Sequence, residues 1–214
     1  MTFSSPTRYH KLSCMLFIHS VFMAACSEES PEQTAYRELK MVWSDASNRV
    51  AANDLAGAER VIQAGLIKHR DHLLMGYLAE LYQKSGQWEK LETYINLNSL
   101  NMPTYRIGEF EGAIASRYFE SRNWDKAASY FLRAGKSTSA ETSMGQKVLD
   151  CNLLAGEYYM NAAIASYNGK YKSGLSDSIL HLHKLRNDAR CASSEAQLEI
   201  SKYIIKSQKL LIDQ

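Results

Sequence analysis

Apolar residues recur along most of the chain at the three- and four-residue spacing of a single helix face. Met75, Leu78, Ala79 and Tyr82 form one such stripe, which stops at Gly86. Leu91 and Ile95 carry a second one after Trp88, and Pro103 ends it. The order returns downstream, with Ile114, Ala115 and Tyr118 before Trp124 and then Ala127 and Phe131. This spacing predicts pairs of short helices. Near the end of the chain Ile200, Tyr203, Ile204 and Leu211 mark a closing helix, capped by Ser194 with Gln197 three residues on. The start reads differently. Leu12–Ala25 is a continuous apolar run of 14 residues, preceded by Arg8 and Lys11 without an acid and closed by small residues. A basic start, a short apolar core and a small-residue cleavage site predict a secretory signal. The run is too short to span a bilayer comfortably.

The helix pairs repeat. Gly86-Gln87-Trp88-Glu89-Lys90-Leu91 and Arg122-Asn123-Trp124-Asp125-Lys126-Ala127 are the same feature, with tryptophans 36 residues apart, and Leu55 precedes Trp88 by 33. A helix–turn–helix unit of about 34 residues is the tetratricopeptide period, and here the chain resembles that family. Its pattern falls on Met75, Leu78, Ala79, Tyr82, Leu91, Ile95 and Pro103 in one unit. In the next it falls on Glu111, Ile114, Ala115, Tyr118, Ala127, Phe131 and Ala134. Small Ala79 and Ala115 allow close helix approach, and Tyr82, Tyr118 and Trp124 are expected to fill the space between helices. The flanks depart from the pattern: Asp45 and Arg49 stand where apolar residues belong. Residues 136–145 read as an insertion, or as part of a longer helix, before a unit marked by Ala162, Gly169 and Tyr171. The resemblance implies an all-α fold, an α-solenoid of eight to ten helices over residues 38–214 with a C-terminal capping helix.

Met23-Ala24-Ala25-Cys26 also resembles the lipobox of bacterial lipoproteins. That resemblance implies a signal peptide over residues 1–25, an acylated Cys26 and a polar tether over 26–37. Ser27, where an aspartate would favour inner-membrane retention, implies an outer-membrane lipoprotein facing the periplasm. A soluble periplasmic protein is the alternative. Processing would leave 23 basic against 23 acidic residues, from 25 and 23 in the full chain. So flat a balance argues against a nucleic-acid binder. Two cysteines would remain, Cys151 and Cys191, either a disulfide stapling the C-terminal end or two buried thiols.

No nucleophile elbow, phosphate-binding loop or zinc-protease motif occurs. His69/His72 and His181/His183 lack further ligands nearby in sequence, so neither a metal nor another cofactor is expected, and the chain reads as a non-enzyme. Arrays of the resembled family bind peptides or partner proteins on the face of their first helices. Carried over, its groove positions are Trp43, Ser47, Leu73, Gly76, Glu80, Gln83, Lys84, Glu109, Gly112, Ser116, Phe119, Glu120, Tyr159, Ala163 and Tyr167. Each either lines the groove or is partly buried against a neighbouring helix. Gly76 and Gly112 are expected to keep the groove open. In layout the chain is similar to the small tetratricopeptide lipoproteins of pilus assembly, which implies a scaffold for an envelope machine. An adaptor of a cell-wall enzyme is the second reading, and an enzyme with a site assembled across repeats is the third.

Overall fold

A computed structural model of the chain describes residues 30–140, 153–188 and 194–214. Among them the architecture is all-helical, with no strand. The helices are α1 (Pro31–Ala51), α2 (Leu55–His69), α3 (His72–Lys84), α4 (Trp88–Asn98), α5 (Thr104–Glu120), α6 (Trp124–Ala140), α7 (Leu153–Asn168), α8 (Lys172–Arg186) and α9 (Ser194–Ile212). A short 3₁₀ turn, Ser99–Asn101, follows α4. Each helix packs chiefly on its neighbours in the chain, while α3 also meets α5, α6 meets α8, and α9 lies across both α7 and α8.

Four hairpins are closed by one turn, used four times. Asn53, Gly86, Arg122 and Lys170 all have left-handed φ angles, of 59, 70, 60 and 61°. At each, the amide donates to the carbonyl three residues back, on Val50, Gln83, Phe119 and Tyr167. The next amide reaches five residues back, to Arg49, Tyr82, Tyr118 and Ser166. Seven residues before each turn stands a fully buried alanine (Ala46, Ala79, Ala115, Ala163). Five residues after it stands a fully buried Ala58, Leu91, Ala127 or Leu175. The small residues let paired helices approach closely, and the turn fixes their register.

This register accounts for the departures seen in the first and last units. Asp45 and Arg49 do not pack as apolar residues would. The Arg49 guanidinium instead holds Asp45 at 3.0 Å and the α2 cap Asp54 at 2.9 Å, tying the two helices by charge. The second half of the expected tether, residues 31–37, is helix: Ser30 and Gln33 form a reciprocal capping box ahead of Pro31. Residues 136–140 likewise continue α6, so the expected insertion is in part the last turn of a long helix. The rest of it, Cys26, and Cys151 and Cys191 lie outside the described residues.

The core runs from Ala46 and Ile62 through Leu74, Leu78, Leu91 and Phe110 to Phe131 and Ala162. A second cluster joins Tyr159 of α7, Leu182 and Leu185 of α8, and Ala196, Ile200 and Ile204 of α9, so the last helix packs on both helices of the preceding hairpin. Tyr118 and Trp124 are half-buried, less than the sequence pattern implies. Trp124 packs edge-on to Phe119 at 5.1 Å, and the Tyr118 hydroxyl donates to Glu92 of α4 at 2.5 Å.

One buried charge joins three helices. Glu111 of α5 is 3% exposed, at a position where Met75 of the preceding hairpin is apolar. Arg133 of α6 donates Nε and Nη2 to it at 2.8 and 2.7 Å, and the Ser137 hydroxyl donates to its other oxygen at 2.9 Å. Arg133 also reaches Asn96 of α4 at 2.9 Å. Burial pushes the Glu111 carboxyl above its usual range, against the opposing pull of Arg133 and Ser137.

Candidate functional site

The first helices of three successive hairpins, α1, α3 and α5, enclose a pocket of about 340 Å³. Its apolar wall begins with Trp43 of α1 and Tyr77 of α3, stacked 4.7 Å apart at 25°. Leu73, 55% exposed, and Tyr105 of α5 stand at its mouth beside Pro103. Three polar groups complete it: His72, Glu80 and Arg106.

Local sequence explains the geometry. Asp71 caps α3 through the Leu74 amide at 2.9 Å, which places His72 and Leu73 at the pocket edge. Pro103 stops the preceding segment and opens α5, so Tyr105 and Arg106 emerge in the first turn of that helix. Gly76 supplies the floor. A Cβ there would lie 3.4 Å from Nη2 of Arg106, and its absence lets the guanidinium rest against the helix backbone. Arg106 is held on both sides, by an ion pair with Glu80 and by a 2.9 Å bond to Glu109, and it lies over the Phe110 ring. Glu80 is shared with Lys84 at 3.6 Å. The Arg106 guanidinium is raised above its usual value: burial, the largest single effect, works against it, and the bonds and charges of Glu80 and Glu109 together outweigh burial. The site is thus an aromatic slot with a fixed, internally neutralised charge at its base. It can hold an apolar or aromatic side chain and orient a polar one.

The carried-over groove positions divide accordingly. Trp43, Leu73, Gly76 and Glu80 meet in this pocket. Gln83 and Lys84 lie one turn further along α3, half-buried and exposed, and Ser116 is exposed on α5 with its hydroxyl bonded to the Gly112 carbonyl at 2.9 Å. Phe119 is wedged between Trp124 and Phe131 instead of standing free, and Tyr167 is half-buried. Tyr159 is no groove residue. It is 2% exposed and stacked on His181 at 4.9 Å, because it stands eleven residues before its turn, the buried position occupied by Met75 and Glu111 elsewhere.

Gly112 corrects a second expectation. A Cβ at this position would lie 2.5 Å from Cε1, Cζ and Oη of Tyr158, so α7 fills the gap that Gly76 leaves open one hairpin earlier. Beside Gly112, α7 therefore lies against α5 where a gap is expected. Sequence reasoning missed Tyr77, Tyr105 and Arg106. Tyr77 adjoins Gly76 and follows Trp43 by 34 residues; Arg106 aligns with Arg70, ahead of α3, so the repeat pattern gives no signal for it.

Elsewhere the histidines have local roles. His69 faces Glu38 at 3.4 Å, and burial lowers the His181 pKa against its Tyr159 stack. Among the described residues no group of three or more potential ligands is placed to hold a metal ion, and no helix is long and apolar enough to cross a membrane. No family model, no curated protein and no solved structure matches this chain.

Proposed function

We propose that this protein is a tetratricopeptide-like solenoid whose first-helix face binds an extended segment of a partner protein, without catalysis of its own. One observation carries the reading: residues picked from the repeat pattern on α1 and α3 converge, with α5, on a single aromatic pocket. The four identical hairpin turns, with their alanines in fixed register, support the repeat architecture. Exposed aromatic and apolar groups around a concave slot are the usual anchors of such contacts.

The basic, apolar and small-residue pattern ahead of Cys26 places this scaffold, in our reading, on the periplasmic side of an outer membrane, held by acyl chains on Cys26. There it would help assemble an envelope machine such as a pilus or secretion apparatus. Cys26→Ser should lose lipid labelling and leave the membrane fraction; unchanged fractionation would remove the anchor and leave the binding reading intact. The pocket has its own test. Gly76→Leu fills the floor of the slot and displaces the Arg106 guanidinium from Glu80 and Glu109. It should keep wild-type helicity while losing the partner recovered by the wild-type protein from envelope extracts, and Gly76→Ala, which leaves Arg106 in place, should keep that partner. Equal recovery by wild type and Gly76→Leu would refute the pocket as the binding site.

A further inference from the structure

The first three hairpins expose their large apolar side chains at one edge. Turns at Asn53, Gly86 and Arg122 close these hairpins at one end, so successive helices alternate in direction. The start of α1, the end of α2, the start of α3, the end of α4 and the start of α5 share the other end. Two contacts fix this arrangement. Glu38 of α1 bonds Lys68 of α2 at 2.7 Å, and His72 and Leu73 of α3 line one pocket with Pro103 and Tyr105 at the head of α5. Ile67, Leu97 and Leu100 stand at this open edge, 85, 76 and 98% exposed. Tyr36, Leu73 and Tyr105 are exposed within the first two turns of their helices. Over residues 30–140 the one other exposed large apolar side chain is Met41, midway along α1, and none lies within five positions of the three turns. Single exposed leucines are ordinary on a protein surface, whereas a set confined to one edge marks a contact.

The chain enters at the same edge. Ser30 caps the start of α1 and stands four positions after Cys26, so the two are no more than about 14 Å apart at full extension. Acyl chains on Cys26 therefore bring this end of the hairpins to the headgroups, and not the turns. The edge also costs little to desolvate. Lys68 and His69 face Glu38, and from Thr93 to Tyr105, the stretch that carries Leu97 and Leu100, no charged residue occurs.

We infer that the open edge rests on the lipid surface, with Ile67, Leu97 and Leu100 at the boundary of headgroups and acyl chains and Tyr36 at headgroup level. The inference rests on the lipid anchor proposed above and adds the orientation of the protein on its membrane. The aromatic pocket, whose lip residues Leu73 and Tyr105 open α3 and α5, then lies close to the bilayer.

The test uses the acylated protein purified from membranes and reconstituted into vesicles of phosphatidylethanolamine and phosphatidylglycerol. A photoreactive residue replaces Ile67, Leu100 or the exposed Glu89, which lies at the turn end of α4. Intact mass before irradiation reads the acyl chains on Cys26. Lipid adducts from positions 67 and 100 should exceed those from 89 by about tenfold and persist at about 1 M salt, where the Debye length is about 3 Å. Leu97→Ser with Leu100→Ser, both outside the core, should cut the adduct at 67 severalfold at unchanged helicity. Equal yields from all three positions would overturn the inference and leave the anchor standing. So would protein crosslinks in place of lipid adducts from 67 and 100 in cells, since a partner would then cover the edge. Adducts lost in salt, or unaffected by the two serines, would overturn the assignment to these apolar side chains. A mass without acyl chains would overturn the anchor and this inference with it, leaving the pocket's role untouched.

Discussion

Arg133→Met should destabilise the protein by about 3 kcal/mol near neutral pH, because it strips a buried carboxylate of its counter-ion. Glu111 would keep only the Ser137 hydroxyl, and the Asn96 link to α4 would also go. The half-exposed arginine leaves a smaller hole than a core residue, so the loss comes mainly from the stranded charge. Its sign with pH follows. The folded-state pKa of Glu111 already lies above its unfolded value, chiefly through burial, and removing Arg133 raises it further. The folded form then takes up a proton more readily than the unfolded chain. The stability linked to Glu111 is present at low pH and lost as pH rises through the folded pKa. The deficit of Arg133→Met against wild type should therefore shrink as pH falls from about 7 to about 5. Urea melts across that range measure it. A deficit constant with pH would mean that Glu111 is not the stranded charge.

The second expectation contrasts two glycines that the sequence alone does not separate. Gly112→Ala should cost about 1–3 kcal/mol, since its Cβ would strike two ring carbons and the hydroxyl oxygen of Tyr158 at 2.5 Å and force α5 and α7 apart. Gly76→Ala should instead gain about 0.5–1 kcal/mol, because alanine favours the helix and its Cβ meets nothing nearer than Arg106 at 3.4 Å. Thermal melts of the two variants check the contrast directly. Equal losses would mean that Gly76 is packed like Gly112 and that the pocket floor is not open.

Both glycines occupy the tenth position before their turns, and what distinguishes them lies outside their own helices. That limit recurs. The middle hairpins were legible because each carries a tryptophan, a tyrosine and an alanine at fixed spacing, and those residues pack locally. The outer hairpins were less so. Gly86 and, more weakly, Asn53 mark their left-handed turns with residues that favour them; Arg122 and Lys170 adopt the same backbone without that signal. Nothing in the sequence marks Lys170 as the turn of the last hairpin, so the repeat pattern puts Tyr159 in the groove although it belongs to the core. Asp45, Arg49 and Glu111 broke the apolar pattern for another reason. Each is satisfied by a partner on the same or another helix: Arg49 binds Asp45 and Asp54, and Arg133 binds Glu111. Hydrophobic periodicity carries no record of such pairs.

The pocket was half legible on the same grounds. Trp43, Leu73, Gly76 and Glu80 follow from the periodicity of their own helices. Arg106 does so only once α5 is laid beside α3, where its guanidinium fills the place a side chain at Gly76 would take.

Site-specific photo-crosslinking in cells tests the central claim most directly. A photoreactive residue at Leu73, on the lip of the pocket, is compared with one at Leu97, which is 76% exposed on α4 away from it. The account predicts a discrete crosslinked partner from position 73 that disappears when Gly76→Leu is added, and none from position 97. Crosslinks of equal yield from both positions, or none from position 73 in envelopes where the protein is present, would contradict it.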